Sequence, residues 1–452
     1  MSYSTAELPD SIDFLELIQL DHERYPHLLE SRGTVCAEIR FDMLFAFPEQ
    51  WYQCNQTTQS QDNFLRFLSS LTSAPSLGSG LNKVDIPFRG GWFVFFGYEF
   101  AGVLEPRLRH LPAGEDDLPL AFASRHRAAV IRDRLQQRCY ALAETGAEDL
   151  LRQIIRDVRF CEKVRGKEPA ARLAEPAHWA VEAESRFMDN VAAAKRYIDA
   201  GDIFQANLSR MWRAQWRHSP SPVALYHDLH RSNPGGFSGI SHWQKSVVVS
   251  SSPERLVEKR GCFMQTRPIA GTCKRGASVE EDRALRETLL NDVKERAEHV
   301  MLVDMERNDL GRVCLPGSIH VSELMTVESY AYVHHLVSNI RGRMRSDCSM
   351  LDIIRSIFPG GSITGCPKIR CMEIIAELEN RGRSAYTGSM GYINHNGDMD
   401  LNILIRTWVL QGKEGHFSCG AGIVHDSDPG RELLETEAKA AGLLRVFNAI
   451  PS

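Results

Sequence analysis

Four glutamates fall into two pairs at the same short spacing, Glu295 with Glu298 and Glu432 with Glu435. Residues three apart share a helix face, so each pair presents two carboxylates in one direction wherever its segment is helical. The stretch Lys294 to Met301 reads as helix. So does the stretch after Asp428 and Pro429, residue types that serve as N-cap and first helical residue. Two such pairs suit a hard cation such as Mg²⁺, which takes one or two protein carboxylates, keeps some water and leaves positions for an anionic ligand. Two solvated helix faces would carry the same pattern. Lys439 follows Glu435 by four residues, on the same face.

Gly360-Gly-Ser-Ile-Thr-Gly365 has the glycine spacing of a phosphate loop, but Cys366-Pro367 stands where Lys and Ser or Thr would contact phosphate. What remains is a glycine-rich turn running into a helix whose first amides would hold a carboxylate, or a plain tight turn. In Ser418-Cys-Gly-Ala-Gly422 the glycines either let backbone amides approach a ligand or mark a β-bulge. Thr266-Arg-Pro-Ile-Ala-Gly-Thr272 and Ser251-Ser-Pro-Glu254-Arg255 are two further compact polar segments. His335, taken alone, reads more readily as a satisfied core histidine than as a catalyst.

These residues need a scaffold. Phe187, Val191, Ala194 and Ile198 recur at helical spacing up to Gly201, and the alternation from Phe204 to Ser209 is that of a strand. Further helices are expected around 280–306, 349–357, 367–380 and 429–448. Strands are expected at Val35 to Phe47, Trp92 to Tyr98, 247–251, 387–394, 399–409 and 415–424. This order is not a βαβ alternation, so the fold class is α+β with a largely antiparallel sheet. The Pro-, Ala- and charge-rich stretch from about Glu162 to Glu184 reads as a surface connector. It gives an N-terminal region over 1–165, a connector over 166–184 and a catalytic region over 185–452.

The 452 residues are 43% hydrophobic and 25% charged, with a formal net charge of -5. That balance offers no basic field for nucleic acid or an anionic membrane. The first residues lack a signal pattern and no apolar run reaches about 18 residues, so a cytoplasmic protein is expected. Eleven cysteines without a C-x-x-C pair point to reduced thiols.

Taken together and in order, TRPIAGT, KERAEHVMLVDMERNDLGRV, HHLVSNI, FPGGSITGCPKIRCMEII, GSMGYI, MDLNILIRT and GAGIVHDSDP resemble the chorismate-binding region shared by anthranilate, aminodeoxychorismate, isochorismate and salicylate synthases. The resemblance runs from about Phe187 to Leu444. It implies two large, mainly antiparallel sheets forming a sandwich flanked by helices, with the N-terminal region completing the sheets. It also implies that Glu298 and Glu435 bind Mg²⁺ directly, Glu295 and Glu432 do so through water, and the metal clamps the ring carboxylate of chorismate. Tyr386 and Arg406 would hold the enolpyruvyl carboxylate, and Gly271, Thr272, Ser362, Lys439 and the amides of Gly420, Ala421 and Gly422 would complete the anion cradle. Glu254 matches the general acid for the departing C4 hydroxyl, and His335 the family's active-site histidine.

Within that family, the water-using branches carry a Lys base where this chain has Gln205. A glutamine amide is no base, so the resemblance implies amine transfer, with ammonia supplied by a glutamine amidotransferase subunit. No glutaminase nucleophile turn occurs in this sequence. Aminodeoxychorismate synthases commonly carry a nucleophilic Lys at the position of Ala270, whereas anthranilate synthases carry Ala there, as this chain does. Asn207, Arg255, GGSITG, His334 and GSMGYI with NILIRT resemble the aminodeoxychorismate side. The expected product is 4-amino-4-deoxychorismate, for p-aminobenzoate and folate, through a free 2-amino-2-deoxyisochorismate. The rivals are an anthranilate synthase component I and a catalytically inactive amino-acid-sensing module. Leu29, Glu30 and Ser31 fall in an LLES motif that, by resemblance, helps form a tryptophan site.

Overall fold

The computed structural model describes residues 3–31, 40–71, 86–165, 173–329 and 333–447. Six strands come first: β1 (Tyr3–Leu8), β2 (His27–Glu30), β3 (Phe41–Cys54), β4 (Gly91–Phe96), β5 (Ala121–Asp133) and β6 (Arg138–Glu144). Nine more lie before residue 345: β7 (His178–Val181), β8 (Gln205–Gln215), β9 (Phe237–Trp243), β10 (Ser246–Ser252), β11 (Arg255–Arg260), β12 (Phe263–Thr266), β13 (Ile269–Lys274), β14 (His320–Ser329) and β15 (Val333–Arg343). The last are β16 (Gly365–Cys366), β17 (Ser389–Asn394), β18 (Met399–Asn402), β19 (Thr407–Gln411) and β20 (Glu414–Ile423).

All strand pairs among the described residues are antiparallel. They form two arms joined at β5. One arm runs from β5 through β3, β2, β9, β10, β19 and β20 to β8. The other runs through β4, β17, β18, β11 and β12 to β15, which carries β13 and β14. The sheet folds over on itself: Val248 and Val409 of the first arm share a buried cluster with Phe93, Met390 and Tyr392 of the second. The expected sandwich is present, with its two sheets continuous through β5. The N-terminal strands complete it, since β2 pairs with β9 and β4 with β17.

Helices cover the outer faces. In chain order they are α1 (Phe14–Leu20), α2 (Thr58–Ser70), α3 (Ala101–Leu104), α4 (Glu148–Val164), α5 (Glu184–Asp199) and α6 (Pro222–Ser232). There follow α7 (Val279–Asn291), α8 (Val293–Gly311), α9 (Met350–Ile357), α10 (Lys368–Glu379) and α11 (Pro429–Leu444). One cluster buries α1, α4, α6 and α11 on the first arm around Tyr226 and Trp408, and a second buries α2 and α9 on the other around Phe64, Phe96 and Ile354. Phe187, Val191 and Ala194 of α5 pack with Ile374 of α10 and Ala421 and Ile423 of β20, so the expected amphipathic helix buries its apolar face there.

Three expectations need correction. The single helix over 280–306 is two, because the Asp292 backbone is extended and its side chain accepts from the Glu295 amide, starting α8 afresh. The single strand over 399–409 is interrupted between β18 and β19, where Arg406 takes φ +51°. Part of the expected connector, His178–Val181, is a strand on β8; Trp179 is its one side chain packed on the core, against Trp408 and Phe447, so four residues are too few to show an apolar alternation. Residues 166–172 of that connector, and 35–39 of the expected strand Val35 to Phe47, lie outside the described residues.

Candidate active site

The site is assembled where β8, β20, β13, β15, α8 and α11 meet around Glu254, which sits between β10 and β11 with 4% exposure. Neighbouring residues of an extended chain face opposite ways. Arg255 accordingly turns away and forms a fork to Asp400, with both bonds at 3.0 Å. The Glu254 carboxylate accepts from the Ser362 hydroxyl at 2.7 Å. That bond brings the glycine-rich turn to the acid. Burial pushes the Glu254 carboxyl up to about 7, against the pull of Ser362, Arg406 and Lys439. A carboxyl poised near neutrality is what proton donation requires.

Arg406 occupies the break between β18 and β19, and its backbone oxygen accepts from the Ser251 amide at 3.1 Å. A non-glycine residue at positive φ is costly and must be held by its surroundings. Its guanidinium acts electrostatically on Glu254 and on His335. His335 is 4% exposed, and burial, aided by Arg406, lowers its pKa to about 3, so the ring is neutral near pH 7. Thr272, whose side chain lies outside the described part of the structure, pairs through its backbone with His335, and Ala270 pairs with Leu336. Gly271 takes φ +80°, and a Cβ there would come within 3.0 Å of Glu295.

The cradle is built on β20. Strand β19 pairs with β20 only from Glu414 to Phe417, which leaves the edge beyond, including Gly420 to Gly422, uncovered by β19. A Cβ on Gly420 would lie 2.5 Å from Asn207 Oδ1 and 2.6 Å from the Tyr386 hydroxyl, and one on Gly422 would lie 2.4 Å from Gln205 Nε2. These glycines make room for two amides and a phenol. The oxygens Gln205 Oε1 and Asn207 Oδ1 are buried without a hydrogen-bond partner among the described residues. Ala421 points the other way, into the cluster under α5 and α11.

Helices α8 and α11 carry the four glutamates. Burial raises the pKa of Glu295, Glu298 and Glu432, and in each case the charge of Glu435 raises it further. Mutual repulsion across two helices is the mark of an acidic pair of faces that a cation would relieve. Glu298 Oε1 is buried without a hydrogen bond among the described residues. Lys294 lies 3.6 Å from that atom, and Lys439 bridges Glu435 at 2.7 Å and the Gly420 carbonyl at 2.8 Å. Among the described residues no three acidic, His or Cys side chains converge to hold an ion as placed. The donor set still fits Mg²⁺, which needs only one or two direct carboxylates.

Leu29, Glu30 and Ser31 do not reach this cleft. They line a cavity between the arms together with Phe237, Arg255 and Asp400, and Glu30 accepts from the Tyr226 hydroxyl at 2.8 Å. Two groups near the site were missed from sequence. Glu306 is half-buried beside Glu254, with its carboxyl pushed up to about 8 by desolvation, and its buried Oε2 has no partner among the described residues. It lies on the α8 face two turns beyond Glu298 and eight residues from it, a spacing that was available. Arg383 is buried under Tyr386 and carried no motif signal.

Residues 27–445 match the family model described as chorismate binding enzyme. The chain belongs to that family. It is therefore an enzyme acting on chorismate. It is 42% identical over 371 residues to an anthranilate synthase component I-like protein of Synechocystis, covering 81% of this chain and 74% of the relative. It is 37% identical over 374 residues to aminodeoxychorismate synthase component 1 of Bacillus subtilis, covering 80% and 77%. The crystal structure of anthranilate synthase component I from Streptococcus pneumoniae superposes with TM-score 0.76 at 29% identity, covering 89% of this chain and 92% of that one. No helix among the described residues is long and apolar enough to cross a membrane.

Proposed function

We propose that this family member is an aminodeoxychorismate synthase component I, converting chorismate and ammonia to 4-amino-4-deoxychorismate. The observation that carries the reading is the neutral pair Gln205 and Asn207, whose buried amide oxygens have no donor among the described residues. Such oxygens can accept N–H bonds from ammonia, and neither can deprotonate water. Ala270 offers no nucleophile, so ammonia itself adds. Its nitrogen bonds to C2 of chorismate, the ring double bonds shift, and the C4–O bond breaks. Glu254 gives its proton to the departing oxygen, which leaves as water, and takes one back from the new amine. The product of this step is 2-amino-2-deoxyisochorismate. A second ammonia then bonds to C4 while the C2 amine leaves as ammonia. Net, one ammonia enters and one water departs.

Tyr386 and the Arg406 fork hold the enolpyruvyl carboxylate, and Ser362, Gly271, Thr272 and the β20 amides complete the cradle. His335, neutral, serves as a hydrogen-bond donor or acceptor to the ring face. Mg²⁺, held by Glu298 and Glu435 and through water by Glu295 and Glu432, would fix the ring carboxylate. A separate amidotransferase subunit would deliver the ammonia.

Anthranilate synthase is the second reading, favoured by Ala270 and by the names of two of the three relatives. It shares the first step and then eliminates pyruvate. Incubation with chorismate, Mg²⁺ and ammonium separates the two. p-Aminobenzoate formed only after adding aminodeoxychorismate lyase supports our reading; fluorescent anthranilate without the lyase overturns it. The cavity beside Leu29, Glu30 and Ser31 is read as an effector site for an aromatic amino acid, and tryptophan titration of activity and melting temperature tests that.

A further inference from the structure

A single buried guanidinium touches most of the elements that frame the carboxylate end of the cleft. Arg383 is 2% exposed and Glu379 1%. The fork closes on Glu379 through Nε at 3.0 Å and NH2 at 2.7 Å. NH2 also donates to the Asn207 carbonyl at 2.6 Å, and NH1 donates to the Ile363 carbonyl at 3.3 Å and the Thr387 hydroxyl at 3.5 Å. All five N–H groups are thereby used, one strand, one glycine-rich turn, one helix and one loop apiece or shared. The plane lies 5.5 Å from the centre of the Tyr386 ring and 4.9 Å from that of Tyr98. Glu379 reaches further along β8, accepting from the Ser209 amide at 2.8 Å and its hydroxyl at 2.9 Å. From the N-terminal half, Glu99 accepts from the Arg383 amide at 2.6 Å. The Tyr386 amide in turn donates to the Arg383 carbonyl at 3.0 Å.

We propose that the Arg383–Glu379 pair is a positioning clamp for chorismate binding, fixing the Tyr386 hydroxyl and the Gln205–Asn207 segment against the turn that carries Ser362. Neither residue touches the substrate. Isolated stability is a poor reason for such a pair, because a buried ion pair is often no better than an apolar one of the same volume. A lysine cannot replace it: one point charge reaches one or two of the partners that a planar fork reaches together. The inference rests on the reading of Tyr386 as a contact to the enolpyruvyl carboxylate.

The test is a double-mutant cycle on the full chain, read as chorismate consumption with Mg²⁺ and ammonium. The expected result for Arg383→Lys is a KM for chorismate raised on the order of tenfold, with the half-saturating Mg²⁺ concentration within about twofold of the parent. In a Tyr386→Phe background the same substitution should cost less than half of that factor, because the placement it disturbs is already lost. Where Arg383→Lys does not fold, Glu379→Gln with Arg383→Met leaves no lone charge and takes its place. An unchanged chorismate KM overturns the clamp, as does a cycle in which the two effects simply multiply. Parallel loss of chorismate affinity, Mg²⁺ affinity and melting temperature also overturns it, as general destabilisation. Tyr386→Phe alone tests the underlying reading: if it leaves KM unchanged, the carboxylate assignment fails on its own, whatever Arg383 does.

Discussion

At the scale of single residues, the site depends on a carboxyl kept protonated near neutrality and on glycines kept bare. Glu254 titrates about 7 because it is buried, so as a general acid it is competent below that value and spent above it. At fixed free ammonia, kcat/KM should fall on the alkaline side with an apparent pKa near 7, and a rate independent of pH from 6 to 9 would remove Glu254 from the acid role. Glu254→Gln should lower kcat on the order of 10²- to 10⁴-fold while leaving Mg²⁺ affinity unaltered. Gly420→Ala should raise the chorismate KM, since its methyl would sit 2.7 Å from the Leu208 carbonyl as well as against Asn207 and Tyr386. Gly422→Ala should do less, because the Gln205 amide it meets is the end of a side chain that can turn.

At the scale of elements, what could be read from the sequence followed its periodicity and caps. α11 begins at Asp428, whose side chain accepts from the Arg431 amide, as the residue types suggested, and α9 falls where a helix was expected, begun by a Ser349 capping box. The paired glutamates do share faces of α8 and α11. What stayed hidden were interruptions. Asp292 inside a charged run reads as one more helical residue until its backbone is seen to be extended, and Arg406 sits at positive φ although nothing in its neighbours demands it. Arg383 was illegible for another reason: its partners lie up to 284 residues away in sequence. Removing the α8 cap by Asp292→Ala should cost about 1 kcal/mol. Because that turn carries Glu295, the variant should also need more Mg²⁺ for half activity; thermal melts and a metal titration read the two effects separately.

At the scale of the whole molecule, buried titratable groups make stability depend on pH in two opposite senses. Burial raises Glu99 and Glu254 to about 7 and Glu306 to about 8. The unfolded chain releases those protons nearer the ordinary value, so each group withdraws stability as pH rises from about 4.5 to its native value. Buried His126 and His335, each lowered to about 3, act in the opposite sense, withdrawing stability as pH falls below about 6.5. Melting temperature should therefore reflect both senses, and Glu306→Gln should remove the decline that Glu306 contributes between about pH 4.5 and 8; an unaltered slope would show that Glu306 titrates normally. The order of strands along the sheet has a further consequence, for synthesis. β20 inserts between β8 and β19, and β17 closes onto β4. A ribosome must therefore deliver nearly the whole chain before either arm is complete, leaving β4 and β8 as open hydrogen-bonding edges until then. Newly made chains should lean on chaperones for that interval, and a stalled one is a template for cross-chain strand pairing.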